Sequence, residues 1–64
     1  VKLLSITEAA DMLSCSRGHV YNLVAAGEFR VVDIGIAGRS KTRLPQEDVE
    51  AYVLRRLRTV GRGD

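Results

Sequence analysis

Apolar residues recur at three- and four-residue spacing in two short stretches, and this spacing predicts two helices. In the first, Ile6, Ala9, Ala10 and Leu13 line one face while Thr7, Glu8 and Asp11 line the other. Ser5 stands at the N-cap and Glu8 at N3. This is a capping box, in which each residue satisfies the other's free backbone donor. The first helix is therefore expected over residues 6–13. The pair Ala9-Ala10 keeps its buried face low, so a second helix can cross it closely. Residues 14–27 predict a turn at Ser14-Cys15 and then that second helix. Ser16 supplies the N-cap. Gly27 supplies the stop, because glycine enters the left-handed conformation cheaply. Val20, Leu23 and Val24 share one face of this helix. Gly18, Asn22 and Ala25 stand opposite, flanked by His19, Tyr21 and Ala26, and no acid lies on that side.

The pattern then changes period. Residues 28–34, Glu28 to Ile34, are rich in β-branched and aromatic side chains and predict a strand. Gly35-Ile36-Ala37-Gly38 offers a reversal, and Arg39 to Leu44 predicts a returning strand. A third helix is expected with Pro45 at N1, where a missing amide costs nothing. Glu47, Asp48 and Glu50 suit its positive end and Arg55, Arg56 and Arg58 its negative end. Its buried stripe is expected at Val49, Tyr52 and Val53, with Leu57 at the margin and Leu54 pointing away. Val1 to Leu4 predicts an extended segment, either a short strand or a leading arm. Thr59 to Asp64 reads as a frayed tail. The predicted fold class is α+β: helix, turn, helix, a two-stranded β-hairpin and a C-terminal helix, in one domain over residues 1–64.

Size and composition narrow the function. A chain of 64 residues buries only about 60% of the surface exposed on unfolding, so its core is thin. An enclosed active site has no room beside such a scaffold. The 45% apolar and 28% charged content is that of an ordinary folded protein. No apolar run approaches the ~20 residues that span a bilayer, and the first residues turn polar too early for a signal peptide. A start at Val1 points to a trimmed N-terminus. The single cysteine, Cys15, has no disulfide partner and makes no metal site with the one histidine, His19. A reducing, cytoplasmic location follows, with Cys15 as a small half-buried apolar residue in the turn. There is no second histidine, no metal cluster and no phosphate-cradling glycine loop. No cofactor and no enzymatic activity are expected.

Charge changes the picture more by its placement than by its total of +2. Residues 39–43 hold Arg39, Lys41 and Arg43 without an acid. Residues 55–62 hold Arg55, Arg56, Arg58 and Arg62, again without one. The acids gather mainly at 8–11 and 47–50. The result is a basic face on a nearly neutral chain, which is what a phosphate backbone attracts. On the hairpin these cations read as the wing of a DNA-binding domain, lying along phosphates or entering a minor groove. Alternatively they keep a solvated edge from pairing with other chains. On the second helix, Arg17 is placed to reach a phosphate or a guanine edge. Asn22 can read adenine through paired hydrogen bonds. Tyr21 either bonds a phosphate or packs against the hairpin, and His19 is a groove contact or a solvated residue. The arginines of the third helix are explained by the helix dipole, with a DNA or partner contact as the second reading.

Taken in order, these pieces resemble the winged-helix domains of the MerR-like excisionase group. The resemblance rests on Leu4-Ser5-Ile6-Thr7-Glu8-Ala9-Ala10-Asp11-Met12-Leu13, Ser16-Arg17-Gly18-His19-Val20-Tyr21-Asn22-Leu23-Val24, Gly27, Arg43-Leu44-Pro45, Glu47-Asp48-Val49 and Tyr52. It covers residues 4–57. It implies a winged helix-turn-helix that places one helix in the major groove of double-stranded DNA and a wing in the adjacent minor groove. Carried over by position, the helix contacts would be Ser16, Arg17, His19, Tyr21 and Asn22, and the wing contacts Arg39, Ser40, Lys41 and Arg43. It also implies cooperative binding of several copies at repeated sites, DNA bending, and help to an integrase in excising a prophage. A MerR-type regulator would continue into a long dimerisation helix, whereas this sequence stops at Asp64, which favours the minimal excisionase form. Two other functions compete: a small transcriptional repressor of the same fold, and a protein-interaction module that docks on a partner such as integrase.

Overall fold

Ser5 and Glu8 close the first helix start. The Ser5 hydroxyl accepts the Glu8 N–H at 3.0 Å, and the Glu8 carboxylate accepts the Ser5 N–H at 2.8 Å. The bond from the Ser5 backbone holds the Glu8 carboxyl below the usual carboxylate range. The box starts α1, Ile6–Leu13, at the residue its sequence predicts. A computed structural model describes residues 1–59. α1 stops at Ser14, which takes a left-handed conformation (φ 55°). Ser16 then caps α2, Arg17–Ala25, by accepting the His19 N–H at 3.1 Å. Gly27, at φ 80°, turns the chain away beyond it.

Three antiparallel strands follow the order β1-β3-β2. β1, Leu3–Leu4, sets Leu3 opposite Pro45 and Leu4 opposite Leu44 of β3, Thr42–Pro45. β2, Val32–Asp33, sets Val32 opposite Arg43 and Asp33 opposite Thr42. The leading residues therefore make a strand, and the hairpin becomes the outer part of a three-stranded sheet. α3, Gln46–Arg56, leaves directly from β3. Leu4, Ile6, Ala9, Ala10, Val20, Leu23, Phe29, Leu44 and Val49 form the core, with Leu13, Cys15, Val24 and Tyr52 packed at its border. Ala9 and Val20 are fully buried, as the close crossing of α1 and α2 requires. These elements make a winged helix-turn-helix.

The strand expected over 28–34 contracts to Val32–Asp33. Phe29 turns into the core instead and meets the Tyr52 ring edge-on, centroids 5.2 Å apart. The Arg30 N–H is taken by Asp48 Oδ2 at 3.0 Å, so it does not join a strand ladder. The Arg30 guanidinium adds bonds of 3.0 and 2.8 Å to the same carboxylate. The returning strand begins at Thr42 rather than Arg39, because the Lys41 N–H is held by the Asp33 carboxylate. Pro45 is not the first residue of α3 but its N-cap. It stays extended (ψ 130°) opposite Leu3, and the Gln46 N–H donates to the Lys2 carbonyl at 2.8 Å. Val53, expected in the buried stripe, is 38% exposed. Beyond Val49, Tyr52 keeps the contact of α3 with the core, while Val53 lies on an open face with Met12, Glu50 and Leu54. Leu57 is also exposed. The tail expected over 59–64 lies outside the described residues from position 60 onwards.

Leu44 is fully buried on the central strand. Leu44→Ala should lower unfolding stability by about 2–5 kcal/mol, measured by urea denaturation. A loss below about 1 kcal/mol would show that the site collapses around the smaller side chain. The Asp48 side chain is 13% exposed. The Arg30 guanidinium, then the Arg30 N–H, lowers its pKa from 3.8 to about 2. A depressed carboxyl pKa stabilises the fold above the unfolded value and loses that effect as pH falls through the folded one. The melting-temperature gap between wild type and Asp48→Asn should therefore be full near neutral pH, shrink below about pH 4, and close near pH 2. A gap of constant size across that range would remove the ion pair as its source.

Candidate nucleic-acid interface

The cap at Ser16 fixes which side of α2 faces outward. With Val20 and Leu23 buried, the helical period turns Arg17 and Tyr21 toward the wing and His19 to the opposite flank. Arg17 and Tyr21 line an open groove of about 390 Å³ with Ser40, Lys41, Thr42 and Arg43 of the wing, the N-cap Ser5, and Ile6 and Thr7 of α1. Tyr21 is 56% exposed there. The structure thus brings together five of the residues singled out in the sequence, from both the helix and the wing. The lining contains no acid.

The remaining sites lie around this groove. His19 lines a smaller recess of about 130 Å³ with Leu13, Cys15, Leu23 and Tyr52, away from the wing. Asn22 is exposed on the outer face of α2, beside neither recess. Ser16 is exposed, with its hydroxyl oxygen engaged in the cap. Arg39 lies farther out, where Ile34, Gly35, Ile36 and Lys41 also meet. Lys41 belongs to both the groove and the wing tip. The Ser40 hydroxyl donates to Asp33 at 3.2 Å, and Arg43 Nη1 donates to the Thr42 carbonyl at 3.0 Å. Gly18 leaves the outer face of α2 low: a Cβ built on it would come no closer than 3.9 Å, to the Ser16 hydroxyl.

Asp33 gives the wing its shape, and sequence pattern alone did not reveal this. One carboxylate oxygen accepts the Gly35 and Lys41 N–H groups, each at 2.9 Å. It joins both arms across the loop, while Ile34 N–H donates to the Lys41 carbonyl at 2.9 Å. The bond from Lys41, then that from Gly35, holds the Asp33 carboxyl below the usual carboxylate range. The reversal passes through Ala37 (φ 55°) and Gly38 (φ 78°). Gly35 has a different reason to be glycine: a Cβ there would stand 1.5 Å from the Arg39 carbonyl oxygen. An Asp two residues before a glycine was the signal for such a loop, since Asp commonly bonds the backbone two residues on. Ser5, Ile6 and Thr7 were likewise not singled out as interface residues. They line the groove at the start of α1, where the first-turn N–H groups of a helix have no intrahelical partner.

Two acids outside the groove hold arginines. Asp48 holds Arg30 and Glu28 holds Arg55, the latter at 3.3 Å. Arg55 also donates to the Glu28 carbonyl, and the guanidinium groups of Arg55 and Arg56 lie 5.8 and 5.5 Å from the Tyr52 ring centre. The helix dipole is therefore only part of what places these two arginines. Among the described residues, neither ion pair uses Arg17, Arg39, Lys41 or Arg43.

Over residues 3–57 the sequence matches the helix-turn-helix domain family, and the chain belongs to it. That family includes excisionase-like and MerR-like helix-turn-helix domains. Comparison with curated proteins and with solved structures gives no match. Family and fold together make this a DNA-binding helix-turn-helix protein with double-stranded DNA as its partner. No helix among the described residues is long and apolar enough to cross a membrane.

Asp33→Ala should free the wing without opening the core. The Gly35 and Lys41 amides should lose protection from hydrogen exchange, while those of Val20 and Leu23 keep theirs. Uniform loss across all four would mean that Asp33 supports the whole fold rather than the loop.

Proposed function

We propose that the protein is an excisionase, a DNA-binding factor that directs a recombinase rather than cutting DNA itself. In this reading α2 enters the major groove and the wing follows the backbone to the adjacent minor groove. Several copies occupy repeated sites side by side, bend the duplex, and promote integrase-mediated excision of a prophage. The observation that carries the DNA contact is the acid-free groove joining Arg17 and Tyr21 of α2 to Lys41 and Arg43 of the wing. The excisionase assignment is further supported by the resemblance of residues 4–57 to that group. Arg17, Lys41 and Arg43 neutralise phosphates, Tyr21 donates its hydroxyl to one, and Arg39 extends the cationic track along the wing. Asn22, on the outer face, reads a base edge. Ser16 and Ser40 lie beside phosphates, and His19 makes a contact at the far edge of the helix.

The division of roles is testable by gel shift on duplexes bearing repeats from a phage attachment site, with scrambled duplexes as competitors. The wild-type chain should shift the repeats in steps and weaken steeply with salt. Arg39→Ala should weaken binding to all sequences alike and reduce the salt slope by about one. Asn22→Ala should instead erode the preference for the repeats by about 1–3 kcal/mol. Equal, sequence-independent losses for both variants would overturn the division. Absence of any shift at low salt would overturn DNA binding through this groove. Addition of integrase to an excision assay then tests the recombination role: excision that does not depend on the protein overturns it.

A further inference from the structure

The wing tip carries an apolar side chain that the fold does not use. Ile36 is 81% exposed at the reversal, and Ile34 near it is about half exposed. With Gly35, Arg39 and Lys41 they line a shallow depression of about 300 Å³. Nothing in the turn requires a large apolar residue at position 36. The turn is made by the Arg39 N–H donating to the Ile36 carbonyl at 3.0 Å and by the left-handed residues Ala37 and Gly38. The charged side chains that line the depression, Arg39 and Lys41, are both cationic. The Asp33 carboxylate is not part of the lining and is bonded to the Gly35 and Lys41 N–H groups and the Ser40 hydroxyl.

We propose that Ile36 is a wedge that enters the DNA minor groove and partly unstacks one base step. This deepens the DNA-binding reading above and rests on it. Three observations converge. An apolar tip beside Arg39 and Lys41 matches a minor groove, whose floor receives apolar wedges and whose walls are phosphates. Lys41 is shared with the groove containing Arg17 and Tyr21, so the tip and α2 engage the same duplex across one backbone. The Asp33 bonds hold the tip in shape before DNA arrives, so little ordering entropy opposes insertion. Insertion of this kind opens the minor groove and kinks the duplex toward the major groove. The wing thereby supplies a bend as well as charge.

The test uses a duplex selected by the wild-type chain from a randomised pool. It carries fluorophores at both ends and 2-aminopurine at successive steps in turn. The wild-type chain should shorten the end-to-end distance and brighten 2-aminopurine at one step. Ile36→Ala should lose both signals and bind about tenfold more weakly, with an unchanged salt slope because no charge is altered. Ile36→Leu should retain both signals. Equal melting temperatures for the variants would exclude a folding defect. If Ile36→Ala binds, bends and unstacks like the wild type, the wedge is overturned while DNA binding stands. If the wild-type chain selects and binds no duplex even at low salt, both are overturned. Binding of the wild-type chain, lost in Ile36→Ala, to vesicles of equal phosphatidylglycerol and phosphatidylcholine but not to DNA would assign the tip to a membrane and overturn the wedge.

Discussion

Strand β3 has to serve two environments within four residues. Its two edges are occupied, by β1 on one side and β2 on the other. At one end Leu44 and Pro45 are buried, and at the other Thr42 and Arg43 line the cationic groove. The wing is therefore a continuation of the most enclosed strand in the molecule rather than a loop appended to it. The position of Arg43 relative to Arg17 follows from the burial of Leu44 beside it. α3 departs from the same strand, so the core, the wing and the last helix are all referred to one short stretch of backbone.

Local signals were legible in the sequence where they were self-contained. The Ser5–Glu8 box and the Ser16 cap involve residues three apart, and each gave its helix start correctly. Features decided by distant partners were not legible. Arg30 could have continued a strand, but Asp48, eighteen residues away, takes its N–H. β-propensity carries no information about that competitor, so it predicts a longer strand than the one that forms. Val53 has the right spacing for a buried stripe, yet spacing cannot tell where the opposing surface ends. On the interface, basic clustering pointed to Lys41 and Arg43. The contribution of Ser5, Ile6 and Thr7 depends on how α1 lies against the wing, which residue type does not encode.

The placement of acids matters as much as that of bases. Glu8 closes a cap, Asp33 closes the wing, Asp48 fastens the segment after Phe29, and Glu28 holds Arg55. Each of these carboxylates does structural work while leaving the lining of the main groove free of negative charge. A chain with a net charge of +2 can thus present a locally cationic surface without the self-repulsion of a strongly basic protein.

α2 divides its labour cleanly around its circumference. Val20 and Leu23 hold it to the core, whereas Gly18, Asn22 and Ala25 are exposed on the outside. Changes on the outer positions leave the packing face untouched, and exposed substitutions of this kind alter stability little. If these outer positions face the bases, as proposed above, target preference can change while the scaffold is kept. Diversification of what is read then does not have to wait for compensating change in what folds.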